Sequence, residues 1–226
     1  LRWEDRDGRH FEQGEVDLWW SLPRQTALRI AKAGEVFAWI GSNDEQYWLF
    51  DMLNEPTRVT AAAHTEPVPV DVAGFGFDAL TLLNLMGVTP LPDDGTVSVD
   101  QSNERWIAEA ESKQGAMRIA FDPKTSLPRK VEILDHQGRL IADSELGRYD
   151  RVPMTGSSAL AWPDLPTRIV VTSPQTGREI KSGDIRLFLD KPTTRVDDQP
   201  MDRVFEFDLL VQSLQPDEQH VPATRP

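Results

Sequence analysis

Four histidines, thirty-seven carboxylates and no cysteine are the groups in this 226-residue chain that could do chemistry. His10, His64, His136 and His220 are not spaced as a metal pair would be on a helix or a hairpin, and His136 falls in a turn. All four are expected at the surface or in loops. The missing cysteine removes disulfides, thiolate metal sites and a thiol nucleophile together. Gly156-Ser157-Ser158 lacks the second glycine of a nucleophile elbow and reads as a linker. Asp93-Asp94-Gly95 and Asp197-Asp198 read as solvated turns, without the spacing of a calcium loop. No glycine-rich phosphate loop is present. Glu15 and Asp17, at i and i+2 of one strand, form a solvated face. A carboxylate becomes a useful acid only when burial or a second charge shifts its titration, and sequence shows neither. The reading is therefore of a protein without catalytic residues, cofactor or metal.

The aromatic residues carry the remaining signal. Trp19, Trp20, Trp39, Tyr47, Trp48 and Phe50 crowd into about three successive strands. They fit ordinary core packing, and they also fit an aromatic-lined ligand cavity. Stacking on single-stranded nucleic acid is a third use of such residues. The net charge of -13 argues against it, and no nucleic-acid partner is expected. No apolar run is long enough to span a membrane as a helix.

These residues need elements to hold them. Val16, Leu18, Trp20 and Leu22 alternate with Glu15, Asp17, Trp19 and Ser21, which is the period of a strand, and Pro23 ends it. Leu28 and Ile30 share a face in the next strand. Residues 36–40 and 46–50 are apolar on both faces, with a turn at 41–44. Residues 54–71 are loop-like. Asp78 can cap a helix over 78–86 that carries Leu80, Leu82, Leu83, Leu85 and Met86, with Gly87 as its stop. A break at 90–95 follows. Strands are then expected at 105–111, 116–121, 129–134 and 140–146, joined by turns at 122–126 and 135–138. After a link at 153–166 come strands at 167–172 and 185–189. Residues 205–211 either close the sheet or form a helical turn, and 213–226 read as a loose polar tail. The pattern predicts one mainly β (α+β) domain over residues 1–212, a curved antiparallel sheet with a helical insertion.

Gln13-Gly14-Glu15-Val16-Asp17-Leu18-Trp19, followed by Pro23, resembles the second strand region of the bacterial lipoprotein carriers LolA and LolB. Gly34-Glu35 with Trp39, and Tyr47-Trp48, resemble that family's glycine turn and aromatic strand. The helix at 78–86 falls where the family inserts its lid, and the later hairpins, up to Val196-Asp197-Asp198, are similar in order. The likeness spans residues 10–210. It implies a half-open antiparallel β-barrel covered by one or two helices, which is not an enzyme and holds acyl chains in its interior. It also implies a place in the periplasm or on the bacterial outer membrane. Two features depart from the family. The family's first helix should precede the first strands, yet the sequence opens almost directly with Arg2-Trp3-Glu4, so that helix is missing, trimmed or disordered; and Leu22 replaces the arginine expected before the proline, with Arg24 following it. Active transfer of lipoproteins is thus not carried over. Because the sequence opens at Leu1, a leader or linker is expected upstream.

The expected cavity lining is Val16, Leu18, Trp20, Ile30, Val36, Ile40, Trp48 and Phe50, with Leu80 and Leu83 from the helix. The expected partner is a lipid or the acyl chain of a lipoprotein, with another envelope protein as a further partner, and the chain is expected to be a monomer. Two rivals stand beside this reading. One is a structural or protein-binding module with a self-filled core, in which Trp19 meets a partner. The other is an enzyme on the same scaffold.

Overall fold

The computed structural model describes residues 2–4, 9–11, 13–21, 25–53, 55–64, 79–87, 96–100, 105–112, 115–152, 164–173, 182–190 and 201–220. In chain order the strands are β1 (Arg2–Glu4), β2 (Arg9–Phe11), β3 (Glu15–Ser21), β4 (Gln25–Lys32), β5 (Glu35–Ser42), β6 (Gln46–Asp51) and β7 (Arg58–Ala63). Helix α1 (Ala79–Leu85) follows, then β8 (Thr96–Asp100), β9 (Arg105–Ser112), β10 (Gly115–Phe121) and β11 (Pro128–Asp135). Next come β12 (Leu140–Arg151), β13 (Asp164–Ser173), β14 (Ser182–Phe188), a short 3-10 helix over Met201–Phe205, α2 (Phe207–Leu214) and β15 (Glu218–His220). The molecule is mainly β, as its alternating sequence predicts.

The chain forms two compact units. One comprises Leu1–Phe11, Gly74–Gly76 and Leu83–Asp197; the other comprises Glu12–Ala73, Phe77–Leu82 and Asp198–Pro226. The first unit is built on a sheet of nine strands among the described residues, in the order β2-β1-β14-β13-β12-β11-β10-β9-β8. Its two faces differ sharply. Ala108, Ile119, Val131, Ser144, Val171 and Ile185 form one cross-strand row, and all six are buried. The neighbouring row on the opposite face is Glu109, Arg118, Glu132, Asp143, Thr172 and Asp184. Arg118 pairs there with Glu109 at 2.8 Å, and Lys130 with Asp143 at 2.9 Å. Apolar-in, charged-out alternation fixes the register, because a slip of one residue would exchange the faces. The end of α1 lies on the apolar face. A Cβ added at Gly87 would come within 2.6 Å of Leu146 Cδ1, and Gly87 has φ +70, the left-handed conformation of a helix stop.

The second unit is built on a sheet ordered β15-β7-β6-β5-β4-β3. All neighbours are antiparallel except β15, which runs parallel to β7. Ala33 and Gly34 both have positive φ and close the β4–β5 hairpin in two residues. Residues 213–220 are not the loose tail expected: they finish α2 and supply β15. Asp217 holds that segment by accepting bonds from the Thr57 amide and hydroxyl, at 2.8 and 2.7 Å. Residues 207–214 settle the choice left open for the preceding stretch, since they are helical. The predicted turns at 90–95 and 153–163, the cap Asp78, Gly156-Ser157-Ser158, Asp197-Asp198 and residues 22–24 lie outside the described residues.

Candidate functional site

The candidate site is a face of the second unit's sheet, built from its cross-strand rows. One row runs Leu18, Leu28, Ile40, Leu49, Thr60 across five strands. Beside it runs Val16, Ile30, Ala38, a row that ends in the charged pair of positions Asp51 and Arg58. Leu28 and Ile40 are buried, while Val16, Leu18, Ile30, Ala38 and Leu49 are half-buried. Strand alternation sends every second residue to this face, so a stripe of aliphatic side chains crosses four strands without a charge.

The opposite face is a closed core. Trp48, Phe50, Val59 and Ala61 pack against Phe207 and Leu210 of α2, with Trp39, Met52, Val211 and Leu214 around them. The Phe207 ring centroid lies 5.7 Å from that of Trp48 and 5.9 Å from that of Phe50. Apolar residues 207, 210, 211 and 214 recur at helical spacing, and that stripe is what docks the helix. The row Trp19, Ala27, Gly41, Trp48, Ala61 alternates large with small across the strands. Trp19 stacks on Trp39, with centroids 5.9 Å apart and planes within 10°. On the same face Arg29 pairs with Asp17 at 2.5 Å.

The expected lining is thereby divided. Val16, Leu18, Ile30 and Ile40 come together on the aliphatic face. Trp48 and Phe50 go to the other face and into the core with α2. The reason is the register of the β5–β6 hairpin, which sets Leu49 rather than Trp48 opposite Ile40. Val36 pairs with Ala31 beyond a bulge that follows Ile30. Leu83 is buried in α1. The side chains of Trp20 and Leu80 lie outside the described residues. Leu28 and Leu49 complete the aliphatic row and were missing from the expected set. Leu28 was readable as the face-mate of Ile30; Leu49 needed the hairpin register.

His64 Nε2 lies 2.6 Å from the Asn43 carbonyl oxygen, and its ring centroid is 6.1 Å from that of Tyr47. His136 is in the exposed turn after β11, and His220 sits 3.6 Å from Glu218. The side chain of His10 lies outside the described residues. Trp19, expected at a contact surface in the rival reading, is half-buried on Trp39.

No family profile and no curated protein matches the sequence. Among solved structures the chain is similar to a LolA superfamily protein from Nitrosomonas europaea, at 15% identity and TM-score 0.46, over 92% of this chain and 87% of that one. It is similar as well to a structure from Vibrio parahaemolyticus described as an outer membrane lipoprotein-sorting protein domain, at 11% identity and TM-score 0.47, over 91% of this chain and 88% of that one.

Proposed function

We propose that this chain is a non-enzymatic cell-envelope protein that holds a lipid, or the acyl chain of a lipoprotein, on the aliphatic face of its second unit. The observation that carries this reading is the aliphatic stripe in which half-buried Val16, Leu18, Ile30 and Leu49 surround buried Leu28 and Ile40, while the opposite face is filled by α2. An acyl chain asks for nothing but such a surface, because each buried methylene contributes about 0.8 kcal/mol without any hydrogen bond. About a dozen methylenes would supply about 10 kcal/mol before the cost of ordering the chain is met. The periplasm, or the inner side of a bacterial outer membrane, is the compartment that goes with this ligand.

Native mass spectrometry of the purified protein and titration with a fluorescent fatty acid test the reading. A lipid-sized adduct and saturable binding are the expected results. Leu18→Gln keeps the volume but leaves an amide facing the acyl chain. It should weaken binding by about 1–2 kcal/mol. A bare mass spectrum together with a non-saturating titration would overturn the proposal.

A further inference from the structure

The first unit holds a pocket of about 450 Å³ whose lining includes Arg105, Arg129, Lys130, Arg148, Arg168 and a single acid, Glu145. That composition inverts the protein's own balance, in which acids outnumber Lys and Arg by 37 to 24. The cations come from β9, β11, β12 and β13, so they converge through folding and not through a basic run. Lys130 opposes Glu145, and Gly147 opposes Arg168, all on the charged face of the sheet.

The pocket is open to solvent: Arg105, Arg129 and Arg148 are exposed and Arg168 is half-buried. A Cβ placed on Gly147 would meet no atom within 4 Å, so the sheet face is open at this point, opposite Arg168. Arg148 follows with φ +53, a left-handed conformation that is costly for a side chain other than Gly, Asn or Asp. Its carbonyl accepts a bond from the Thr167 hydroxyl. The Tyr149 hydroxyl donates to the Pro128 carbonyl across the same corner, which ties β11, β12 and β13 together there.

Ion pairing separates these cations from the others on the face. Arg118 is held by Glu109, Lys130 by Glu132 and Asp143, and Arg129 by Asp122 at 3.2 Å. Arg105, Arg148 and Arg168 have no carboxylate partner among the described residues. Three guanidinium groups without a carboxylate partner, with one carboxylate in the same lining, give an excess of about two positive charges, close to the −1.5 to −2 of a phosphate monoester. The planar fork of arginine bonds phosphate oxygens two at a time.

We infer that this pocket binds a phosphate monoester group, held by Arg105, Arg148 and Arg168 over the open space at Gly147. The ligand is distinct from the acyl chain proposed for the second unit, and the inference stands without that proposal. A phosphate group can arrive free in solution or as the head group of a lipid. Isothermal titration with inorganic phosphate tests the first source. Co-flotation with vesicles of phosphatidylcholine, with and without phosphatidic acid, tests the second. A signal in either arm supports the site, provided that Arg168→Ala lowers affinity about tenfold or more and that added salt weakens it. Arg148→Gly should give the same loss with an unchanged or raised melting temperature, because glycine accepts φ +53 without strain. No binding in both arms, or binding untouched by Arg148→Gly and Arg168→Ala, would overturn the inference.

Discussion

Gly41 and Trp48 face each other across β5 and β6, and the absence of a side chain at one position makes room for the ring at the other. A Cβ at residue 41 would fall 2.7 Å from Cε2 and Cζ2 of the indole. The ring has nowhere to retreat, since it is fully buried with Phe207 against it. Gly41→Ala should therefore destabilise the protein by about 1–3 kcal/mol, read from the midpoint of guanidinium unfolding; an unshifted midpoint would show that the indole has slack. In sequence, Gly41 looks like the start of a turn. A glycine that bends the chain and one that admits a ring read alike until the register is known. The same ambiguity hid the division of the aromatic cluster. Residues 46–50 are apolar at nearly every position, so alternation could not choose between Trp48 and Leu49 as the neighbour of Ile40. The aliphatic residues of β3 and β4 were legible because Glu15, Asp17 and Arg29 mark the other face.

At the scale of elements, three joints share one device. The Asp122 carboxylate accepts the amides of Lys124 and Thr125 in the β10–β11 turn. Asp135 accepts those of Gln137 and Arg139 in the β11–β12 turn. Asp217 does the same for the Thr57 hydroxyl and amide ahead of β15. The backbone amides of Lys124 and Thr125 hold Asp122 below its ordinary value of 3.8, the Arg139 amide lowers Asp135, and the Thr57 hydroxyl and amide lower Asp217. A carboxyl depressed by folding stabilises the fold above its ordinary value and loses that contribution as pH falls through the folded value. Urea midpoints should thus drop as pH is lowered below about 4, and a variant with Asn at positions 122, 135 and 217 should show a flatter profile. Equal acid slopes for the two proteins would refute this. The two hairpin joints were readable as turns, because Asp, Gly and Pro cluster there. The third links residues 160 positions apart, and local composition carries no trace of it. Helix α2 was half legible: Leu209, Leu210 and Val211 read as either strand or helix, and only Phe207 and Leu214 complete the helical stripe.

At the scale of the whole molecule, the β content and most strand positions followed from alternation and turn residues. The split into two units did not, because no change of composition marks it. The arginines of the first unit lie dozens of residues apart in the chain, so only the sheet brings them together. The tail was misread for a simple reason. A three-residue strand held by side chains far away in sequence has too little apolar character to announce itself. Yet β15 occupies the outer side of β7, with Arg58 bonded to Glu218 at 2.9 Å. Exposed strand edges are templates for pairing with other chains. Ending the protein after Pro216 would strip that cover and leave β7 able to add a strand from a second molecule. Sedimentation of the shortened protein should then show concentration-dependent self-association absent from the full chain. The last described residues would in that case act as a guard against fibre-like growth, a role set by their position at the rim rather than by their chemistry.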